Sequence, residues 1–215
     1  MNITPNKTPG FTAAILMASG FSKRFGQNNK LLFPFEGKAL ARHTLELACC
    51  FSFSAGIFFV TATEETASLS ADLNTVKVVK NHFPNKGLRE SIRLGIEAAN
   101  PNTEYYIFFP CDQPFLDAAA VRLVLDAARQ GCIVEPRYKG KPGNPCLFSA
   151  DFREELLSLK QGETPRVLKT RHSNALISVE INNPLALEDI DDEKSLEALV
   201  RKHQQDGKIK STKIM

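Results

Sequence analysis

The chain has 215 residues, 43% of them hydrophobic and 24% charged, with a formal net charge of +3. That length supplies a large core for one domain, and the charge is too small to argue for a nucleic acid or a membrane surface as partner. The longest apolar runs, Ala55 to Val60 and Tyr105 to Phe109, fall far short of a membrane span, and the polar stretch Met1 to Gly10 has no hydrophobic signal core, so a cytoplasmic protein is expected.

Apolar runs of strand length alternate with helical patterns, which predicts an α/β domain of three layers around a mostly parallel sheet. The first strand is expected over Thr12 to Met17. A helix over Lys38 to Cys50 sets Leu40, Leu45, Leu47 and Ala48 against Arg42 and Glu46. Gly56 to Thr61 reads as a strand, Glu64 to Ala71 as a short helix and Val76 to Val79 as a third strand. Gly87 to Ala99 reads as a helix with Leu88, Ile92, Ile96 and Ala99 in one stripe. Tyr105 to Pro110 is expected to be a central strand, and Asp117 to Arg129 the helix after it. Cys132 to Glu135 is strand-like, Arg137 to Pro145 a loop rich in Gly, Pro and Lys, and Leu147 to Ser149 leads into a helix near Asp151 to Leu159. A shorter helix is expected over Pro165 to His172, a strand over Ala175 to Ile181 and a terminal helix over Asp192 to His203. No repeat and no linker of domain scale interrupts this order, so residues 1 to 215 read as one domain. Its ordered core runs over about 12 to 204, and loose ends are expected at 1 to 11 and 205 to 215.

Five cysteines (Cys49, Cys50, Cys111, Cys132 and Cys146) make an odd number without a Cys-x-x-Cys pair, and most sit in apolar surroundings. They read as reduced core residues rather than a redox or zinc centre. His43, His82, His172 and His203 are far apart and show no ligand spacing. Cys111 borders a candidate site residue, but its neighbours are not basic, so no thiolate nucleophile is proposed.

The segment from Ala13 to Lys30 carries most of the functional information. An apolar strand feeds the small-residue turn Ala18-Ser19-Gly20, and a loop with Ser22, Arg24 and Lys30 follows. Small residues let the backbone approach a ligand, and the loop offers donors and positive charge, an order that suits a polyphosphate. Neither the Walker A sequence nor Gly-x-Gly-x-x-Gly is present. Asp112, in Pro110-Cys111-Asp112-Gln113-Pro114, stands just beyond the C-terminal end of the expected central strand, where open α/β sheets bind ligands. The same Asp would also suit a turn before Pro114. The acidic run Glu188-Asp189-Ile190-Asp191-Asp192-Glu193 admits two readings, a capped start of the final helix or carboxylates gathered near a cation. Asn81 to Ile92 puts a turn ahead of a helix, whose free N–H groups can receive polar ligand atoms. Lys139 to Pro145 is a basic loop, either simply solvated or facing an anion.

Together these segments resemble the MobA-like nucleotidyltransferases, most of all the molybdenum cofactor cytidylyltransferases. Gly20, Ser22, Arg24, Gly26 and Lys30 match the family's Gly-x-Ser-x-Arg-Met/Phe-Gly…Lys signature, with three residues between Gly26 and Lys30 where many relatives have two. Ser19 stands where Ala or Gly is usual. Asp112 and Pro114 match Asp-x-Pro, and Asp189, Ile190, Asp191 and Leu196 match the later Asp-Ile-Asp element. Asn81, Gly87, Leu88 and Ser91 match the base and ribose element, while Gly143 and Pro145 match the acceptor-side element. Leu159 to Arg166 fits its family counterpart only in part, because Glu163 and Pro165 replace Asp and Gly.

The resemblance implies a Rossmann-like nucleotidyltransferase domain of three layers, with a mostly parallel mixed sheet. It implies Mg²⁺ held by Asp112 and Asp191, with Asp189 in support. Arg24 and Lys30 would act on the triphosphate, with Ala18, Ser19, Gly20 and Ser22 around it. It further implies CTP as donor and the phosphate of molybdopterin-bound molybdenum as acceptor, and a molybdenum hydroxylase or its chaperone as protein partner. Lys139 and Lys141 could meet an anionic acceptor. Two alternatives stay open. One is a guanylyl or sugar-phosphate enzyme of the same fold; the other is a non-catalytic nucleotide- or cofactor-binding protein.

Overall fold

A computed structural model describes residues 6–20 and 29–190. The strands are β1 (Asn6–Lys7), β2 (Thr12–Ala18), β3 (Pro34–Phe35), β4 (Lys38–Ala39), β5 (Phe51–Ser52), β6 (Gly56–Thr61), β7 (Val76–Lys80), β8 (Tyr105–Pro110), β9 (Ile133–Tyr138), β10 (Lys141–Pro142), β11 (Cys146–Ser149) and β12 (Leu176–Glu180). The α-helices are α1 (Leu40–Cys49), α2 (Glu64–Ala67), α3 (Leu88–Ala98), α4 (Ala118–Asp126), α5 (Arg153–Leu157) and α6 (Arg166–Arg171).

Strands β7, β6, β2 and β8 lie side by side and all parallel. Beyond β8 the sheet turns mixed: β11 runs antiparallel to β8 and β9, and β12 runs parallel to β9. Buried side chains alternate between the faces of the central strands, as a sheet covered on both sides requires. Ala14 and Leu16 of β2 pack with Ile107 and Phe109 of β8 against Leu45 of α1 and Val121 of α4. Ile15 and Phe108 face the other way, onto Ile92 and Ile96 of α3 and Leu156 of α5. These are the expected three layers. Gly95 of α3 rests directly on Ile15, whose side chain occupies the place a Cβ would take.

Several boundaries depart from the sequence expectations. Residues 6 to 11 are not a loose end, because β1 pairs with β5 in parallel and the buried Thr8 hydroxyl donates to the Ser52 carbonyl at 2.8 Å. Lys38 and Ala39 do not begin α1; they form a small antiparallel pair with β3. The helix expected over 117 to 129 ends at Asp126, and Asp117 is its N-cap, accepting from Ala120 N–H. Residues 150–152 form a single 3₁₀ turn ahead of the short α5. The expected loop from Arg137 to Pro145 is largely a hairpin. Its two-residue turn, Lys139-Gly140, has positive φ at both positions, the geometry that matches strand twist. The terminal helix expected over 192–203 lies outside the described residues. Among the described residues no helix is long and apolar enough to cross a membrane.

Candidate active site

The order of the parallel strands places a topological switch between β2 and β8, since the chain leaves β2 for β6 on one side and returns to β8 on the other. Open α/β sheets leave a crevice at such a point, beyond the carboxyl ends of the strands. Here a cleft of about 770 Å³ opens there. Ser19 and Gly20 after β2, Lys30, Pro110 and Asp112 at the end of β8, and Gly87, Leu88 and Ser91 at the start of α3 all line it.

Lys30 ties three distant parts of the chain together. Its Nζ donates to Asp112 Oδ2 at 2.6 Å and to the Ile190 carbonyl at 3.1 Å, while Ile190 N–H donates to the Asp112 carbonyl at 3.0 Å. Both charged side chains are mostly covered, at 17% and 22% exposure, so the pair is screened less than a surface one. Asn29 sets the backbone into Lys30: its Oδ1 accepts from Leu31 N–H and its Nδ2 donates to the buried Thr66 hydroxyl at 2.9 Å. Asp112 Oδ1 makes no hydrogen bond among the described residues, which leaves one carboxylate oxygen for a ligand.

The cleft also explains residues that packing does not. Gly20 has an ordinary backbone, and a Cβ built on it meets no atom of the described residues within 4 Å. Neither turn geometry nor a neighbour among the described residues demands glycine there, and the position lines the cleft. Gly87 likewise borders open space, although its φ of +78° is a sufficient backbone reason for glycine. Leu88, expected in the buried stripe of α3, is 40% exposed because the helix begins at the cleft and turns this residue toward it.

Other sequence candidates sit differently from a simple contact role. The Ser19 hydroxyl donates to the Val60 carbonyl at 3.0 Å, so its backbone is what the cleft receives. Ala18 is buried just behind the lining. Asn81 is buried and shapes the turn into α3, its Oδ1 accepting from Phe83 N–H at 2.9 Å; its Nδ2 has no partner among the described residues. Gly143 has a packing reason, because a Cβ there would lie 2.6 Å from Leu187 Cδ2. Pro145 follows a cis peptide and lines neither the cleft nor the cavity beside it. Ser22, Arg24 and Asp191 lie outside the described residues. Among the described residues no group of three or more His, Cys, Asp and Glu gathers as a metal site.

The adjoining cavity, about 450 Å³, was not legible as a unit in the sequence. It shares Met17, Leu88 and Asn144 with the cleft. In its wall the buried Glu135 carboxylate accepts from Arg137 Nε and from Lys169 Nζ, each at 2.9 Å, and Lys169 also reaches Cys146 Sγ at 3.0 Å. Burial works against the Lys169 ammonium, yet the Cys146 sulfur and Glu135 together raise its pKa. Burial pushes the Cys146 thiol up, with Lys169 opposing. Cys111, fully enclosed, is also raised well above the ordinary range by burial, which agrees with an inert core thiol.

Against this geometry the family comparison is decisive. The model of the MobA-like NTP transferase domain matches residues 14–175. The chain belongs to that family. This MobA-like domain is 25% identical over 201 residues to the molybdenum cofactor guanylyltransferase of Ralstonia pickettii, covering 87% of this chain and 95% of that one. It is 24% identical over 185 residues to the nicotine blue oxidoreductase of Paenarthrobacter nicotinovorans, covering 82% and 90%. Its fold matches a nucleotidyl transferase from Methanothermobacter with a TM-score of 0.75 at 21% identity, over 89% of this chain and 99% of the other. It also matches Rv0371c of Mycobacterium tuberculosis in complex with manganese, with a TM-score of 0.69 at 21% identity, covering 89% and 99%. The MobA-like domain is therefore a Rossmann-like α/β nucleotidyltransferase fold, with its switch-point cleft where such folds take nucleotides.

Proposed function

We propose that this MobA-like domain is a cytoplasmic Mg²⁺-dependent nucleotidyltransferase that transfers CMP from CTP to the terminal phosphate of molybdopterin-bound molybdenum, releasing pyrophosphate. The observation that carries the reading is the junction of Lys30, Asp112 and Ile190, where the basic loop, the end of β8 and the acidic segment meet at one cleft. Arg24 and Lys30 hold the triphosphate, with Ser22 and the backbone of Ala18 to Gly20 alongside it. The turn from Asn81 and the start of α3, through Gly87, Leu88 and Ser91, receives the base and ribose. Asp112, whose Oδ1 has no hydrogen bond among the described residues, and Asp191, which follows Ile190 directly, would hold the divalent cation; when bound, it supplies charge neutralisation to the phosphates. The manganese complex of Rv0371c, a protein of the same fold, supports a divalent cation here.

Displacement of Lys30 from Asp112 toward the phosphates frees the carboxylate as the substrate arrives. An acceptor phosphate oxygen then attacks the α-phosphorus in line, and the bond to pyrophosphate breaks. That oxygen is already anionic near neutrality, so alignment and charge stabilisation carry the rate and no strong base is needed. The acceptor lies on the side of Gly143 and Pro145, with Lys139 and Lys141 to meet its anionic charge. A molybdenum hydroxylase or its chaperone would take the product.

A guanylyl reading is favoured by one observation, the Ralstonia guanylyltransferase among the relatives. Thermal unfolding with Mg²⁺ and each of CTP, GTP, ATP and UTP decides between them, followed by pyrophosphate release with the stabilising nucleotide. Stabilisation by CTP alone is the expected result, GTP alone would move the donor to guanylyl, and no response to any nucleotide would refute the reading.

A further inference from the structure

We propose that Gln113 is a positioning residue: its buried side-chain amide docks the acidic segment beside Asp112 and so sets the cation-binding half of the site. This rests on the nucleotidyltransferase reading above. Gln113 is 2% exposed, and its Nε2 donates to Asp189 Oδ1 at 2.6 Å and to the Leu187 carbonyl at 3.4 Å. One residue earlier and one residue later the same two segments are joined again, by Ile190 N–H on the Asp112 carbonyl. The side-chain bond and the backbone bond therefore act as a clamp, with Lys30 closing it through the Ile190 carbonyl.

The chemistry of the amide argues for more than adhesion. Gln113 Oε1 is buried with no partner among the described residues, a cost that an apolar side chain of similar volume would avoid. What the position gains is the Nε2 donor. A Lys or Arg would donate as well, but would cancel the Asp189 charge. The neutral amide fixes the carboxylate without adding a positive charge of its own beside Asp112.

The test uses the full chain and three variants, Gln113→Ala, Gln113→Glu, and Gln113→Glu combined with Asp189→Asn. The double variant reverses donor and acceptor while keeping one hydrogen bond and one charge. Two readouts are taken: hydrogen exchange at the Ile190 amide, and Mn²⁺ affinity by electron paramagnetic resonance in the presence of CTP. Both single variants are expected to speed exchange at Ile190 while the amides of β2 stay protected. Both are also expected to weaken Mn²⁺ binding by about 10–100-fold, as loss of a supporting partner does elsewhere, with recovery in the double variant. Unchanged exchange at Ile190, or Mn²⁺ affinity that the double variant does not recover, would overturn the proposal. If the wild type binds no Mn²⁺ at all, the metal reading of the site fails, and the exchange readout alone decides the clamp.

Discussion

Gly20→Ala separates a glycine kept for the fold from one kept for a ligand. A methyl group on Gly20 meets no atom of the described residues within 4 Å, and the backbone there is one that alanine adopts. The substitution should therefore stabilise the ligand-free protein slightly, by about 0.4–1 kcal/mol, because it restricts the unfolded chain. In a chain of this length that raises Tm by about 1–4 °C. Gly20 lines the cleft proposed to receive the nucleotide, so the added methyl would stand at its wall. At a nucleotide concentration of about 100 times Kd, the wild type gains about 2.7 kcal/mol. A tenfold loss of affinity cuts that gain to about 1.4 kcal/mol at the same concentration. The assay is thermal unfolding with and without Mg²⁺ and the preferred nucleotide. Gly95→Ala is the control: its methyl would collide with Ile15, and overpacking should cost about 1–3 kcal/mol without altering the nucleotide response. If Gly20→Ala loses Tm as the control does, or keeps the full nucleotide shift, the reasoning about the open cleft is wrong.

Lys30→Met and Asp112→Asn should each lower pyrophosphate release by about 10²-fold or more while the protein stays folded by circular dichroism. An Asp112→Asn protein that retained full turnover would remove that residue from the mechanism. Lys169→Met leaves the buried Glu135 with Arg137 alone and should cost about 1–3 kcal/mol in urea unfolding. Adding Glu135→Gln should recover part of that loss, and no recovery would show that the pair is not the cause. On the acid side, hydrogen bonds from Arg93 hold Glu90, and those from Arg171 hold Glu155, below the usual carboxylate range. A depressed folded pKa means the unfolded chain binds more protons on acidification. Their contribution is thus present above about pH 4.5 and lost as pH falls through the folded values. Melting curves from pH 7 to 3 should show a shallower acid decline in Glu90→Gln and Glu155→Gln than in wild type.

The local signals of this chain were strong where one residue type serves one purpose. Continuous apolar runs marked β2, β6 and β8, because each of these strands is covered on both faces and leaves little room for polar residues. The basic loop, Asp112 and the start of α3 stood out because small residues, a carboxylate and a free helix end follow strand ends in the order a phosphate site needs. In the structure Lys30, Asp112, Gly20, Gly87, Leu88 and Ser91 all line one cleft.

Composition and pattern alone determined the α/β class, the run of central strands and the segments that border the cleft, since these depend on hydrophobic period and on residue size and charge within a few positions. Only the tertiary structure decided that Thr8 anchors an N-terminal strand, that the Lys139-Gly140 turn closes a hairpin, and that Gly143 yields to Leu187. It alone also set Gln113 on Asp189 and Glu135 between Arg137 and Lys169. Apart from the hairpin turn and the Glu135–Arg137 pair, those contacts join residues dozens of positions apart. Their free energy depends on which buried donor meets which acceptor, and no local spacing encodes that.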